Sequence, residues 1–196
     1  MTVVLIVVGV LIVLALYFIL TRNSIIASRN RVDEAWSGID VQLKRRHDLV
    51  PNLVETVRGY AQHERATFEN VTKARAEAMK AEGPAEAGPA EGMLSRALLG
   101  LRAIAENYPN LRATENFQQL SRNLSELEDE IQASRRIYNS NVQALNTKIQ
   151  VFPNSVVAGA GGFTEREFFE IEDAAEREAP EVSFAPPPAT AQPEKP

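Results

Sequence analysis

An unbroken apolar run in the first twenty residues constrains this chain most. From Thr2 to Thr21 there is no charged residue, and the run consists mostly of Val, Leu and Ile. At 1.5 Å rise per residue, about 20 apolar residues span the roughly 30 Å hydrocarbon core of a bilayer. A cleaved signal peptide would need a basic residue before the run, a shorter apolar stretch and a small-residue cleavage site. Residues 1–21 show none of these features, so we predict a retained transmembrane anchor.

The residues beside this anchor predict how it lies in the bilayer. Tyr17 and Phe18 fall where an interfacial aromatic belt is expected. Arg22, Arg29 and Arg31 follow the run, and no Lys or Arg precedes it. Flanking basic residues tend to stay in the cytoplasm, so they favour an external N-terminus and a cytoplasmic main domain. The opposite topology stays open because three arginines are a modest excess. We take all five residues as candidates for the membrane interface.

The composition narrows the function classes. The chain has no cysteine and only two histidines, so disulfide scaffolds, thiolate metal sites and thiol nucleophiles are excluded. Its pI of about 5.2 argues against nucleic-acid binding. The Glu-x-x-His pattern of di-iron bundles does not occur, and neither do the His-Glu-x-x-His and Gly-x-Ser-x-Gly motifs. The sequence therefore predicts no catalytic residue, no metal site and no cofactor.

A long apolar stripe predicts the longest helix after the anchor. Between residues 117 and 152, apolar side chains recur at steps of three and four, with one shift of register after Tyr138. This spacing predicts a helix over residues 112–151, near 60 Å long at 1.5 Å per residue. So long a stripe needs an equally long partner, and a similar stripe within residues 22–82 supplies one. We predict an all-α fold, an N-terminal transmembrane helix followed by an elongated antiparallel helical bundle of three to four helices.

Proline and glycine set the expected boundaries inside this bundle. Pro51 has no N–H and clashes with the preceding turn, so we expect it to kink or break the helix. A helix should then run on to about Glu82. The sequence GPAEAGPAEG at residues 83–92 is typical of a loop, and a shorter helix should follow it up to about Glu106.

The C-terminal part changes character twice. The pattern Thr164-x-x-Glu167 is a capping box and predicts a short helix. Residues 179–196 contain six prolines, so we expect a disordered Pro/Ala-rich tail. The predicted organisation is an anchor over residues 1–21, a helical bundle domain over residues 22–178, and this tail.

Eight residues are expected to fix the packing and register of the bundle. Trp36 stands about 24 Å beyond Leu20 at 1.5 Å per residue, so we interpret it as a core residue and not as part of the aromatic belt. Asn139 and Asn146 are seven residues apart on one helix face, and a buried Asn can fix the register of a helical seam. A partner site is the alternative for them. The eight residues are Trp36, Leu43, Pro51, Asn52, Leu124, Tyr138, Asn139 and Asn146.

A basic run and a histidine each allow two interpretations. Lys44, Arg45 and Arg46 could contact lipid headgroups, but Lys44 lies about 35 Å past the apolar run at 1.5 Å per residue. Surface attraction fades within about 8 Å, so we expect these residues to pair with acidic groups of neighbouring helices, such as Glu126, Glu128, Asp129 and Glu130. His47 falls on the apolar stripe and is expected to be partly buried, with pH sensing as the alternative.

Four segments of the chain resemble the LemA family. They are AWSGIDVQLKRRHDLVPNLVETVRGYAQHE, ENYPNLRATENF, RRIYNSNVQALNTKIQVFP and GFTEREFFE, and they keep their order and spacing across residues 22–170. The resemblance implies a bacterial protein with one N-terminal anchor and an elongated antiparallel bundle. It also implies that no biochemical activity is firmly established for the family. A magnetosome-forming protein belongs to the family, and neighbouring genes in some genomes encode membrane metalloproteases.

Together these observations predict a membrane-anchored helical scaffold or interaction protein of the bacterial inner membrane, without catalytic activity. The alternative is an adaptor or regulator of a membrane protease or sensor complex. Phe168 and Phe169 stand in an acidic context that suits a docking peptide, so they are candidate partner contacts unless they fold back onto the bundle. The expected partners are the lipid bilayer, further copies of the chain and a membrane protein, and nucleic acid is not among them.

Overall fold

The first helix carries the apolar N-terminus directly into the bundle. A computed structural model describes residues 1–171, and its longest element is helix α1, Thr2–Arg58. At 1.5 Å per residue this helix is about 85 Å long. Residues 1–20 are exposed on every side, whereas from Thr21 onward buried residues recur at helical spacing. The change from exposed to packed helix therefore coincides with the end of the apolar run.

Helix α5, Glu115–Gln150, runs antiparallel to α1. Lys148 Nζ donates a hydrogen bond to Ser24 Oγ at 3.2 Å, and Asn141 Nδ2 donates to the Arg31 carbonyl at 3.3 Å. Seven residues forward along α1 thus correspond to seven residues back along α5. This constant register means that the two helices stay side by side over most of the length of α5.

The seam between these helices holds one of two apolar cores. It is filled by side chains that recur at steps of three, four or seven on both helices: Ile25, Val32, Ile39 and Leu43 from α1, and Ile131, Tyr138, Val142, Leu145 and Ile149 from α5. The predicted long stripe and its predicted partner helix are therefore confirmed.

The second core lies at the end of the bundle far from the apolar run. Helices α2, Arg65–Ala78, and α3, Gly83–Glu106, pack on each other, and the short helix α4, Pro109–Arg112, leads into α5. Side chains of α2 and α3, together with the last turns of α1, enclose Val57, Val71 and Leu94. Within residues 1–171 all regular structure is helical, which confirms the predicted all-α fold.

The predicted break at Pro51 is wrong. Pro51 lies inside α1, which continues to Arg58, and the expected helix up to Glu82 is instead α2 after a short connection. Proline leaves the carbonyl four residues earlier without its helical partner. Here that carbonyl belongs to His47, and it accepts a hydrogen bond from Arg75 Nε of α2 at 2.6 Å. A residue on a neighbouring helix therefore replaces the hydrogen bond that Pro51 removes.

The predicted loop over residues 83–92 is also wrong, because this stretch forms the first turns of α3. Gly83 has φ of 74°, a conformation that glycine adopts readily, and Pro84 occupies the first turn, where its missing N–H is not needed. Pro89 lies within the helix and is exposed. Ala87, Ala90 and the residues that follow at helical spacing are buried, so tertiary packing stabilises a helix that the composition disfavours.

A last short helix, α6, Asn154–Ala160, follows α5 and contacts both α1 and α5. It occupies part of the stretch VVAGAGG at residues 156–162, whose glycines favour a flexible connection. Residues 163–171 then run back along α5 without forming a helix. The predicted Pro/Ala-rich tail, residues 179–196, lies outside the described residues.

Candidate functional site

Asn139 and Asn146 hold residues 163–171, the clamped segment, against α5. Asn146 Nδ2 donates to the Arg166 carbonyl and Asn146 Oδ1 accepts the Arg166 N–H, both at 2.9 Å. Asn139 repeats this arrangement with Phe169 at 3.1 and 2.9 Å. The seven helical residues from Asn139 to Asn146 rise about 10.5 Å, and the three residues from Arg166 to Phe169 cover about 10 Å when extended. The distance between the two asparagines therefore matches the distance between the two backbone groups that they bind. The two amides therefore bind the backbone of the segment and not its side chains.

Phe169 is the apolar anchor of the clamped segment. Its buried side chain meets Trp36 edge-on with ring centroids 5.4 Å apart, and Trp36 in turn lies 5.6 Å from the Tyr138 ring. The Tyr138 hydroxyl donates to the Glu167 carbonyl at 2.8 Å. Burial, partly opposed by the charge of Arg166, raises the pKa of Tyr138 to about 12. The hydroxyl therefore stays protonated and remains a donor at every physiological pH.

The capping-box helix predicted from Thr164 is wrong, since the clamped segment is extended. Its backbone groups find partners in side chains of α5, which removes the need for helical hydrogen bonds. Gly88 of α3 is also required, because a Cβ atom there would overlap the carbonyl oxygen of Glu170. The local capping signal is thus overruled by contacts with two other helices.

The asparagines and one of the two phenylalanines make their contacts within the chain. The amides of Asn139 and Asn146 bind a segment of the same chain and do not bridge α1 to α5. Phe169 packs on its own bundle, while Phe168 remains exposed at 37%. Phe168 is therefore the member of the pair that faces solvent.

A buried cluster of charged residues joins α1, α3 and α5. Arg46 and Glu91 are both fully buried and form an ion pair through Arg46 Nη2. Arg46 Nη1 donates to the Glu128 carboxylate at 2.6 Å and to Ser95 Oγ at 3.1 Å. The predicted pairing of the basic run with an acidic group of a neighbouring helix is confirmed for Arg46. Glu91 was missed because its sequence context suggested a loop.

His47 belongs to the same cluster. Its Nε2 lies 2.6 Å from Glu91 Oε1. Burial alone would raise the pKa of Glu91, but the hydrogen bond from His47 and the charge of Arg46 together outweigh it. The pKa of Glu91 therefore lies below its ordinary value. Glu91 is an ionised carboxylate at neutral pH, and its oxygens are occupied by its own neighbours.

The residues predicted at the membrane interface lie on the exposed surface of α1. Tyr17 and Phe18 are 37% and 39% exposed, and the Tyr17 hydroxyl donates to Asn154 Oδ1 of α6 at 2.8 Å. The arginines that follow, Arg22, Arg29 and Arg31, are exposed. Arg29 Nε lies 3.9 Å from the carboxylate of Asp33, one turn later.

The residues predicted to set packing divide into two groups. Leu43 is buried in the seam, and Trp36 and Leu124 are half-buried against it or against the second core. Pro51 and Asn52 are exposed on the outside of α1. These last two therefore belong to neither buried core, and Asn52 lines an open pocket between α1 and α5.

An open groove of about 350 Å³ lies between α3 and α5. Apolar side chains such as Leu98, Leu99 and Phe117 line it, together with Ile171 and with charged residues such as Glu128. Within residues 1–171, His, Asp and Glu side chains do not gather in any group of three that could hold a metal ion. The described part of the chain thus presents packing surfaces, internal ion pairs and an open groove.

These features define a class of protein: within residues 1–171 all regular structure is helical, and an exposed apolar segment long enough to cross a membrane continues unbroken into an antiparallel bundle. The bundle also binds its own extended C-terminal segment. The sequence profile of the LemA family matches residues 35–184, which is most of the chain. The chain therefore belongs to the LemA family.

Named relatives fall into two groups. Protein LemA of Metamycoplasma hominis is 28% identical over 158 residues, covering 73% of this chain and 71% of that protein. Magnetosome protein MamQ 2 of Paramagnetospirillum magneticum is 26% identical over 160 residues, covering 68% of this chain and 59% of that protein. Magnetosome protein MamQ of Magnetospirillum gryphiswaldense is also 26% identical, with 58% of its length covered. The chain thus spans about three-fifths of the magnetosome proteins that it resembles.

Proposed function

We propose that this protein is a membrane-anchored helical scaffold of the bacterial envelope, which acts through the surfaces of its helices. The observation that carries the proposal is the continuity of α1. One helix is exposed and apolar over residues 2–20 and packed along α5 beyond Thr21. A partner bound to the bundle would be held at a set distance from the bilayer, since a continuous helix has no hinge at the membrane surface.

The apolar segment supplies enough free energy for stable insertion. Val, Leu and Ile each contribute about −0.3 to −0.6 kcal/mol at the centre of a membrane helix, so the whole segment contributes on the order of −5 to −10 kcal/mol. The large apolar side chains of residues 3–20 are exposed in the described chain, and the Tyr17 hydroxyl also bonds to Asn154 of α6. Insertion into a bilayer accounts for their exposure.

The orientation follows from the arginines after the segment. Arg22, Arg29 and Arg31 favour a cytoplasmic bundle at the inner membrane and an external N-terminus. A membrane-impermeant maleimide applied to intact cells distinguishes the two orientations. A cysteine at the exposed position Ser140 should stay unlabelled until the membrane is permeabilised, and labelling of intact cells would reverse the assignment.

A scaffold role fits the chemistry of the described residues better than catalysis. The buried charged groups pair with one another, and the relatives named above, protein LemA and the magnetosome proteins, do not take their names from a reaction. The adaptor alternative drew support from a free Phe168-Phe169 motif, and burial of Phe169 in its own bundle weakens that support. We therefore place further copies of the chain first among the partners, with another membrane protein second.

Two measurements test the proposal. Val8→Arg with Leu11→Arg places two arginines in the centre of the segment, where each costs about 2.5–3.5 kcal/mol. The double variant should lose its resistance to carbonate extraction from membranes, while Val41→Arg, at an exposed position on the packed part of α1, should keep it. Single-molecule photobleaching of labelled chains in membranes should then show several copies per spot. Equal extraction of all variants, or single copies with no other protein attached, would contradict the proposal.

A further inference from the structure

The turn between α5 and α6 exposes apolar side chains at the anchor end of the bundle. Val151, Phe152 and Val156 are 46%, 81% and 64% exposed. No charged residue occurs between Lys148 and Glu165, a stretch of sixteen residues. Single exposed apolar residues are ordinary, but a charge-free cluster of three usually marks a contact surface.

Contacts with α1 fix the level of this turn relative to the apolar run. The Tyr17 hydroxyl donates to Asn154 Oδ1 at 2.8 Å, and Tyr17 lies in the last turn of the run. Higher up, Lys148 Nζ donates to Ser24 Oγ at 3.2 Å. Since α5 descends one residue for each residue that α1 rises, Phe152 lies level with the last apolar residues of the run.

We propose that residues 151–156 form a second membrane contact, in which Val151, Phe152 and Val156 enter the bilayer interface beside the anchor. This inference rests on the proposed membrane anchoring of α1. Lipid is the occupant that the structure favours, because the Tyr17–Asn154 hydrogen bond places this exposed cluster beside the exposed apolar surface of α1. Apolar side chains of interfacial segments typically reach about 5–10 Å into the boundary between headgroups and acyl chains.

Polar groups around the turn suit a headgroup environment. Asn154 and Tyr17 satisfy one another, and tyrosine is favoured at the interface because one end is apolar and the other polar. Lys148 and Arg22 lie just above the turn, where cations can meet lipid phosphates. The change from charged to charge-free residues on α5 therefore falls at nearly the same level as the change on α1.

A second contact would restrict the orientation of the whole bundle. A single transmembrane helix adopts a range of tilt angles set by its neighbours and interfacial anchors. With two contacts on adjacent helices, the seam between α1 and α5 is held at one tilt and one rotation. Partners bound to the bundle would then meet a surface of fixed direction.

The test uses the natural absence of cysteine. A nitroxide label is attached at Phe152→Cys or Val156→Cys in the full chain, reconstituted in vesicles of phosphatidylcholine and phosphatidylglycerol. Collisions with oxygen, which concentrates in lipid, and with a water-soluble nickel chelate report the surroundings of each label. Ile137→Cys is the matched control, since it is exposed on α5 about 22 Å from the turn at 1.5 Å per residue. Leu11→Cys reports on the anchor itself.

We expect the oxygen-to-nickel accessibility ratio at positions 152 and 156 to exceed that at Ile137 severalfold and to approach that at Leu11. A lipid-exposed Leu11 with a water-exposed Phe152 would overturn this inference and leave the anchoring intact. A water-exposed Leu11 would overturn the anchoring and the inference together. A label at Phe152 that is shielded from both reagents and broadened by a second label would assign the turn to contact between copies, which also overturns the inference.

Discussion

Replacing Glu91 by glutamine should destabilise the bundle strongly. The substitution keeps the shape of the side chain but removes the negative charge beside Arg46, whose side chain is fully buried. Breaking a buried ion pair by removing one partner costs about 3–5 kcal/mol, because the remaining charge is left without compensation. Glu128 still contacts Arg46, and its side chain is 35% exposed, so solvent screens part of that contact. We therefore expect the lower end, about 3 kcal/mol.

Thermal unfolding of the full chain in lipid nanodiscs, followed by circular dichroism, measures this loss. A change of 1 kcal/mol shifts Tm by roughly 2–4 °C for a chain of this size, so Glu91→Gln should lower Tm by about 6–12 °C. Glu106→Gln, at an exposed position on the same helix, is the matched control and should leave Tm within about 1 °C. Equal shifts of Tm for the two variants would show that the buried ion pair between Arg46 and Glu91 does not stabilise the bundle.

Replacing both Arg46 and Glu91 distinguishes the energy of their ion pair from the energy of their contacts with other residues. Arg46→Met combined with Glu91→Met removes both charges and keeps apolar volume, so the double variant should recover much of the stability that each single replacement loses. A double variant less stable than either single variant would show that the contacts to neighbouring helices, and not the pair itself, carry the stabilisation.

The remaining predictions concern pH and the clamped segment. The pKa of Glu91 is lowered in the folded chain, so its contribution to stability is present above its ordinary pKa of 4.5 and is lost as the pH falls through the folded pKa. Glu91→Gln should therefore flatten the fall of Tm on acidification below about pH 4.5. An unchanged slope would contradict this prediction. Asn139→Ala removes two hydrogen bonds, worth about 1–3 kcal/mol, and should reduce hydrogen-exchange protection of the clamped segment, whereas Asn52→Ala should not. Phe169→Ala should release the segment to proteolysis, since truncating a buried phenylalanine costs about 3–5 kcal/mol; the same rate of cleavage for Phe168→Ala would show that burial of Phe169 is not what holds the segment.

The parts of the fold set by local periodicity could be predicted from the sequence. The apolar run and the stripe around Tyr138 and Val142 depend only on which residue types recur at which spacing. Side chains three, four or seven residues apart on a helix share a face whatever the rest of the chain does. The presence of both long helices and their pairing therefore follow from the sequence, and so do the ends of α5 within a few residues, whereas the C-terminal end of α1 does not.

The parts set by distant contacts could not be predicted in this way. Pro51 is tolerated because Arg75 supplies the missing hydrogen bond, and nothing near Pro51 indicates a donor on another helix. Glu91 lies between glycines and prolines that suggest a loop, although buried positions at helical spacing, such as Ala87 and Leu94, were a usable signal. In both cases a weak local preference is overruled by packing.

The clamped segment shows the same limit in the candidate site. The sequence singled out Asn139 and Asn146 by their seven-residue spacing, and the structure brings both to one segment. Their partners are backbone groups of Arg166 and Phe169, which carry no signature in the residue types. The capping box at Thr164 pointed to a helix instead, because a sequence pattern does not reveal competing hydrogen-bond partners.

The central claim is that the exposed surfaces of the bundle bind other proteins at the membrane. Photocrosslinking in cells tests it most directly, with a photoreactive residue at the exposed α5 positions Arg136, Ser140 or Gln143 and, as control, at the buried position Val142. We expect crosslinks from the exposed positions to further copies of the chain or to a small set of membrane proteins, and no intermolecular product from Val142. Exposed positions that give no product beyond the Val142 background would contradict it.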